Sequence, residues 1–360
     1  MRRWGVVAAV TLAIMAAGPA AVAAATASHA DELMDQANAA LDAKDLAKAR
    51  ALMTEAAASG DPEAVNGLGV YTLQGVGAAP DPARARALYE QAVAAGSMAA
   101  RVNLGTLLAE EPDQTSRERA FALLTEAAAK EPRLASGTFY PLGRMALLGV
   151  GRPQDMALGV DLLEKSLAVA PDNADALYLL GRAYANGWGG RTPDAAKSAD
   201  FFRRAAEDGD FRAQRYFAMD LLEGRGVAQD KRQAYDWFLK AANGGYRDAM
   251  IDVAAMLSTG EGGVPVDQPL GRTWYLKAAE MGSALGLQGL GYMLVVGEGG
   301  PIDLPHGWAY LELAAEAGNP QARQLETMAR FQTPPESRAE VDRIKAAFAA
   351  AHPISHTNSE

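Results

Sequence analysis

Carboxylates recur along this chain at a near-constant interval, at Asp45, Asp81, Asp155, Asp194, Asp230, Asp267 and Asp303, with Ser116 in the corresponding place of one segment. Regular acids of this kind could ligate a metal or serve in acid–base chemistry. A metal ion needs its ligands inside one coordination sphere, however, and side chains 35 to 39 residues apart in a stack of similar units stay separated. Asp and Ser are also favoured helix N-caps, and Pro82 directly after Asp81 suits a first helical turn, so capping is the expected role. A second recurrent motif is Gly-x-Gly, at Gly75/Gly77, Gly149/Gly151, Gly187/Gly189, Gly224/Gly226, Gly260/Gly262 and Gly297/Gly299. A phosphate-cradling loop would follow a strand and open a helix. Here each motif follows a helical pattern, so the glycines are expected to end a helix and reverse the chain. The imidazoles are His29, His306, His352 and His356, and the chain has no P-loop, no His-Glu-x-x-His and no Gly-x-Ser-x-Gly. The expectation is a protein with no catalytic residue, no metal and no cofactor.

The elements that would carry these residues repeat as well. The stretch AYDWFLKAANGG, Ala234 to Gly245, returns 37 residues later as GRTWYLKAAEMG, Gly271 to Gly282. Equivalent segments close at Gly60, Gly96, Glu131, Ala170, Gly209 and Gly318, and a Leu-Gly-like pair interleaves with them at Leu68-Gly69, Leu104-Gly105, Leu142-Gly143, Leu180-Gly181, Phe217-Ala218, Val253-Ala254 and Leu290-Gly291. Both patterns place apolar residues at three- and four-residue steps, as amphipathic helices do. One such hairpin cannot bury its apolar face alone, whereas a stack can. The fold expected is all-α: a right-handed α–α superhelical solenoid of about eight helix-turn-helix repeats with a C-terminal capping helix.

These motifs together, Leu-Gly in the first helix, Gly-x-Gly in the loop, an Asp, then Lys-Ala-x-x-aromatic-aromatic-x-Lys-Ala-Ala-x-x-Gly, resemble the Sel1-like repeat (SLR) family, a relative of tetratricopeptide repeats. The resemblance divides the chain into a signal peptide at 1–27, a tetratricopeptide-like hairpin at 28–60, and seven repeats at 61–96, 97–131, 132–170, 171–209, 210–245, 246–282 and 283–318. C-terminal capping helices at 319–351 and a disordered tail at 352–360 follow. The repeat 97–131 departs most, with Glu111-Pro112 where Gly-x-Gly is expected. What the resemblance implies is a protein-binding scaffold.

Arg2 and Arg3 ahead of a short apolar run and small residues up to Ala27 read as a cleaved export signal. The expected location is therefore the bacterial periplasm, or outside the cell, with no membrane anchor after cleavage. The chain contains no cysteine, so its stability comes from packing without disulfides. A formal net charge of −10 excludes nucleic acid as a general partner.

In tetratricopeptide-like stacks the first helices line the concave groove, at positions three before and one after the Leu-Gly glycine. That register puts Tyr140, Arg144, Tyr178, Arg182, Arg215 and Met219 in the groove, with a Tyr/Arg pair four residues apart in two successive repeats. Tyr and Arg are enriched in binding hot spots, and Arg holds a carboxylate bidentately. The expected partner is a protein or peptide with an acidic segment; an acidic, uronate-bearing polysaccharide and a host protein met outside the cell are the alternatives. The same residues also admit a purely structural role, tyrosines packed and arginines paired with neighbouring acids.

Overall fold

A computed structural model describes residues 19–354 of the chain, so most of the expected signal peptide and the tail from residue 355 lie outside the described residues. Eighteen α-helices and no strand occur among them. In chain order they are α1 (Pro19–Asp42), α2 (Leu46–Ala58), α3 (Pro62–Gln74), α4 (Pro82–Ala94), α5 (Met98–Ala109), α6 (Gln114–Lys130), α7 (Ala135–Leu148), α8 (Met156–Val169) and α9 (Ala174–Asn186). Then follow α10 (Ala195–Glu207), α11 (Phe211–Glu223), α12 (Lys231–Asn243), α13 (Arg247–Thr259), α14 (Gln268–Glu280), α15 (Ala284–Val296), α16 (Leu304–Glu316), α17 (Pro320–Gln332) and α18 (Arg338–Ala351). Successive helices pair into hairpins, and the hairpins form two compact units, one ending at Pro171 and the other beginning at Asp172. Each unit is an all-α repeat solenoid.

The repeated motifs do the same work in each hairpin. Asp45, Asp81, Asp155, Asp194, Asp230, Asp267 and Asp303 all cap a second helix, each side chain accepting from the backbone N–H three residues on. Each such cap stabilises its helix by about 1 kcal/mol. The cap residue also fastens the loop: the N–H groups of Asp81, Asp155, Asp230 and Asp303 donate back to carbonyls of the first helix, at Thr72, Ala146, Leu221 and Leu294. In the divergent hairpin the expected Ser116 is not the cap. Asp113 takes that role, accepting from Ser116 N–H, because the loop there lacks glycines and the helix begins a turn earlier. Ser116 instead donates its hydroxyl to Glu111 at 2.6 Å.

The two loop glycines differ in what they do. The first, as in Gly224 (φ +73°), adopts the left-handed conformation and ends the first helix by donating to Asp220 O. The second touches the preceding hairpin. A Cβ at Gly226 would lie 2.0 Å from Ala195 O, at Gly151 2.2 Å from Arg117 O, at Gly77 2.4 Å from Leu46 O and at Gly299 2.5 Å from Gln268 O. Each of those carbonyls belongs to the first turn of the preceding second helix or, at Arg117, lies one turn further in. Inside the hairpin, the glycine of Leu-Gly receives the large residue of the second helix: a Cβ at Gly69 would sit 2.6 Å from the Tyr89 ring, and one at Gly181 2.6 Å from Phe202. Tyr89, Phe202 and Phe238 are accordingly among the largest fully buried side chains.

At the C-terminal end, α18 packs on α16. Arg338 donates twice to Glu312 (3.0 and 3.1 Å) while stacking 5.0 Å over Trp308, and Lys345 donates to the same Glu312 at 3.1 Å. The described chain runs into the segment expected to be a disordered tail: His352 lies against Phe348 (ring centroids 4.7 Å) and Ile354 packs on the same apolar cluster.

The glycine contact separates two substitutions that look alike in sequence. Gly245→Ala meets open space and should cost only the positive-φ strain, about 1–2 kcal/mol. Gly226→Ala adds a backbone collision to the same strain and should cost roughly 3 kcal/mol or more, read as a clearly lower urea midpoint. Equal midpoints for the two variants would refute the close approach as the spacing element.

Candidate functional site

Within each unit the first helices contact one another, and side chains one repeat apart meet across that contact. In the first unit Asn103 donates to Asn66 at 2.8 Å. In the second, Arg212 on α11 reaches back to Asp175 on α9 at 2.5 Å, and Arg215 reaches forward to Asp252 on α13 at 2.5 Å. The face expected to bind partners is therefore a ladder of polar contacts with 37-residue steps.

Tyr140 and Arg144 lie on α7 of the first unit, both partly buried, and Arg144 forms an ion pair with Glu110 at the end of α5. Tyr178, Arg182, Arg215 and Met219 lie on α9 and α11 of the second unit. Tyr178 is a packing residue: it is 7% exposed, its ring lies 6.1 Å from Phe202 and 5.7 Å from Tyr216, and Arg212 covers it at 4.4 Å. Burial raises its hydroxyl above the ordinary tyrosine range, the nearby arginines opposing. Arg215 is ion-paired, and burial lifts the Asp252 carboxyl against the pull of Arg215. Met219 is partly buried one turn beyond Arg215.

Arg182 lies among aromatic rings. Its guanidinium lies 5.4 Å from the Trp188 ring centroid, 5.9 Å from Tyr216 and 6.0 Å from Tyr178, within cation–π range of three rings. It also sits 3.5 Å from the Tyr178 hydroxyl. Trp188 and Tyr216 were not among the residues expected from sequence. Trp188 is the middle residue of a Gly-x-Gly loop, where the motif leaves the position open, and Tyr216 lies one residue out of the groove register. Arg212, three residues before Arg215 and so outside the groove register, was missed as well: it serves as the cover over Tyr178 and is fixed by Asp210 and Asp175, which raise its pKa.

One further acid stands on α11. Asp220 is buried, one carboxylate oxygen has no hydrogen-bond partner, and the other faces Arg225 at 3.3 Å. Burial raises its pKa to about 6, Arg225 opposing and Glu223 reinforcing the shift.

No group of acids, histidines or cysteines among the described residues is placed to hold a metal, and no described helix is long and apolar enough to cross a membrane. Stacked hairpins presenting one polar first-helix face define a helical-repeat scaffold. The chain belongs to the Sel1 repeat family: the Sel1 repeat model matches residues 42–61, 62–97, 140–168, 174–210, 212–246, 247–283 and 284–319, together more than half of the chain. No match falls on residues 98–139, where Glu111-Pro112 replaces Gly-x-Gly. A Sel1 repeat protein from Oxalobacter formigenes is similar in structure, with a TM-score of 0.59 at 26% identity over 83% of this chain and 89% of that one. A protective antigen of uropathogenic Escherichia coli displaying an SLR fold aligns with a TM-score of 0.49 at 18% identity over 85% of this chain and 80% of that one. Comparison with curated proteins finds no match. Sel1 repeat proteins generally mediate protein–protein interaction, on a fold that is generally a non-catalytic scaffold.

The buried Asp220 makes stability depend on pH. Its folded pKa of about 6 lies above the unfolded value near 4, so between those pH values the folded state binds more protons and stability falls as pH rises. Asp220→Asn should therefore stabilise the protein by on the order of 2 kcal/mol at pH 7.5 and by little at pH 4. Urea denaturation of both proteins across that range checks it; a gain independent of pH would show that the carboxylate charge is not the cause.

Proposed function

We propose that this chain is an exported, non-catalytic adaptor that holds a protein or peptide segment on the first-helix face of its second unit. The observation that carries this reading is the Arg182 guanidinium set among Tyr178, Trp188 and Tyr216. A planar cation oriented by ring faces loses little freedom when it binds, and it can meet a carboxylate with two parallel hydrogen bonds. The segment favoured is therefore acidic. Arg215, which already holds Asp252, contributes shape and register. The export signal read at residues 1–27 favours the periplasm, in an envelope-signalling or exopolysaccharide-assembly setting. The ring faces of Trp188 and Tyr216 beside a guanidinium also suit a uronate sugar, which is the second reading.

Crosslinking and pull-down from the envelope fraction tests both. Arg182→Glu should lower recovery of the partner about tenfold or more, with helicity by circular dichroism unchanged, while Arg330→Glu on α17 should leave it unchanged. Recovery unaffected by Arg182→Glu would place the binding surface elsewhere. Loss of capture on addition of alginate oligomers, with no protein recovered by the natural chain, would favour the sugar. Fractionation of the cells, with sequencing of the mature N terminus, tests export and cleavage near Ala27.

A further inference from the structure

A cleft of about 450 Å³ opens in the second unit between α14 and α16, away from the ring-held Arg182. Its floor is apolar: Leu290 and Leu294 of α15 are 3% and 5% exposed, and Leu276 of α14 lies beside them. One rim carries Arg272, the other His306, and the loop Gly299-Gly300-Pro301 forms the end wall. Asp303 holds the His306 ring through Nδ1 at 3.0 Å, so the acid at this rim is already engaged.

Arg272 is the feature that needs explanation. Arg203 and Arg232 on preceding second helices meet carboxylates, but Arg272 pairs with none among the described residues and donates only to the Pro301 carbonyl, at 3.4 Å. The loop makes room for it: a Cβ at Gly300 would lie 2.5 Å from Arg272 Nη1. A guanidinium with no counter-ion beside a leucine floor calls for a ligand that carries an anion and an apolar group close together. In the last residue of a peptide the carboxylate and the side chain share one Cα. An internal Asp or Glu instead carries its charge at the tip of the side chain, with no apolar group beside it. The cleft is open on one side, which suits a chain that continues outward; the tail of a free fatty acid would need an enclosed tunnel.

We propose that this cleft captures the free carboxy terminus of a peptide ending in an apolar residue. The carboxylate pairs with Arg272, the terminal side chain rests on Leu276, Leu290 and Leu294, and the preceding residues leave by the open side. The site is independent of the first-helix face, so either can fail alone.

Isothermal titration calorimetry on the full chain tests it with acetyl-Gly-Ser-Gly-Ser-Leu as the free acid, the same peptide as its C-terminal amide, and decanoate. The free acid should bind roughly tenfold or more tightly than the amide, and decanoate more weakly than the free acid. Arg272→Gln should erase the preference for acid over amide. Gly300→Ala, an exposed loop change that displaces the guanidinium, should weaken the free acid similarly, and Arg330→Glu should change nothing. Equal binding of acid and amide, tighter binding of decanoate, or an acid preference that survives both Arg272→Gln and Gly300→Ala in folded protein would each overturn the proposal.

Discussion

A glycine hydrogen pressed against a carbonyl of the preceding hairpin sets the spacing on which the rest of each stack depends. At Gly77, Gly151, Gly226 and Gly299 a Cβ would fall within 2.5 Å of that carbonyl, a separation no side chain tolerates. The chain has no cysteine and hence no covalent staple, so this contact, the Leu-Gly glycine that admits a second-helix ring, and the buried alanines must hold the hairpins together. Where the loop glycine is missing, a polar arrangement takes its place: Glu111 is held by Arg86 at 2.7 Å from the preceding second helix and by the Ser116 hydroxyl.

Fixed spacing is also what creates the functional face. Because one hairpin follows another at a constant step, residues 37 apart on first helices come into hydrogen-bonding distance, and Asp175–Arg212 and Arg215–Asp252 become cross-repeat ties. The arginines of this acidic protein are thus largely committed to its own carboxylates. The guanidinium of Arg182 is oriented in addition by the ring faces of Tyr178, Trp188 and Tyr216.

How much of this was legible in the sequence follows from how local each feature is. The Asp caps were, because capping depends on a residue and the N–H three positions on; the one exception, Ser116, failed because the cap moved to Asp113 when the loop lost its glycines. The helix-ending role of the first loop glycine was legible for the same reason. The second glycine's contact was not, since the carbonyl it meets lies some thirty residues earlier, as Gly226 and Ala195 show. At the site, the four-residue Tyr/Arg spacing was visible, but whether Tyr178 faces a ligand or the interior is decided by Phe202, Tyr216 and Arg212 on other helices. Trp188 carried no signal, being the unspecified residue of its loop motif.

The two chemical faces of the second unit differ for a physical reason. First helices touch one another, so polar residues such as Asp175, Arg212, Arg215 and Asp252 find partners one repeat away. Second helices meet mainly the first helices on either side, and a charge such as Arg272 has the loop wall and solvent for company. Where a further helix covers a second helix the charges meet across the contact, as Glu312 meets Arg338 and Lys345 where α18 covers α16. One hairpin earlier no such helix covers Arg272, and the leucine floor beneath it stays reachable from outside.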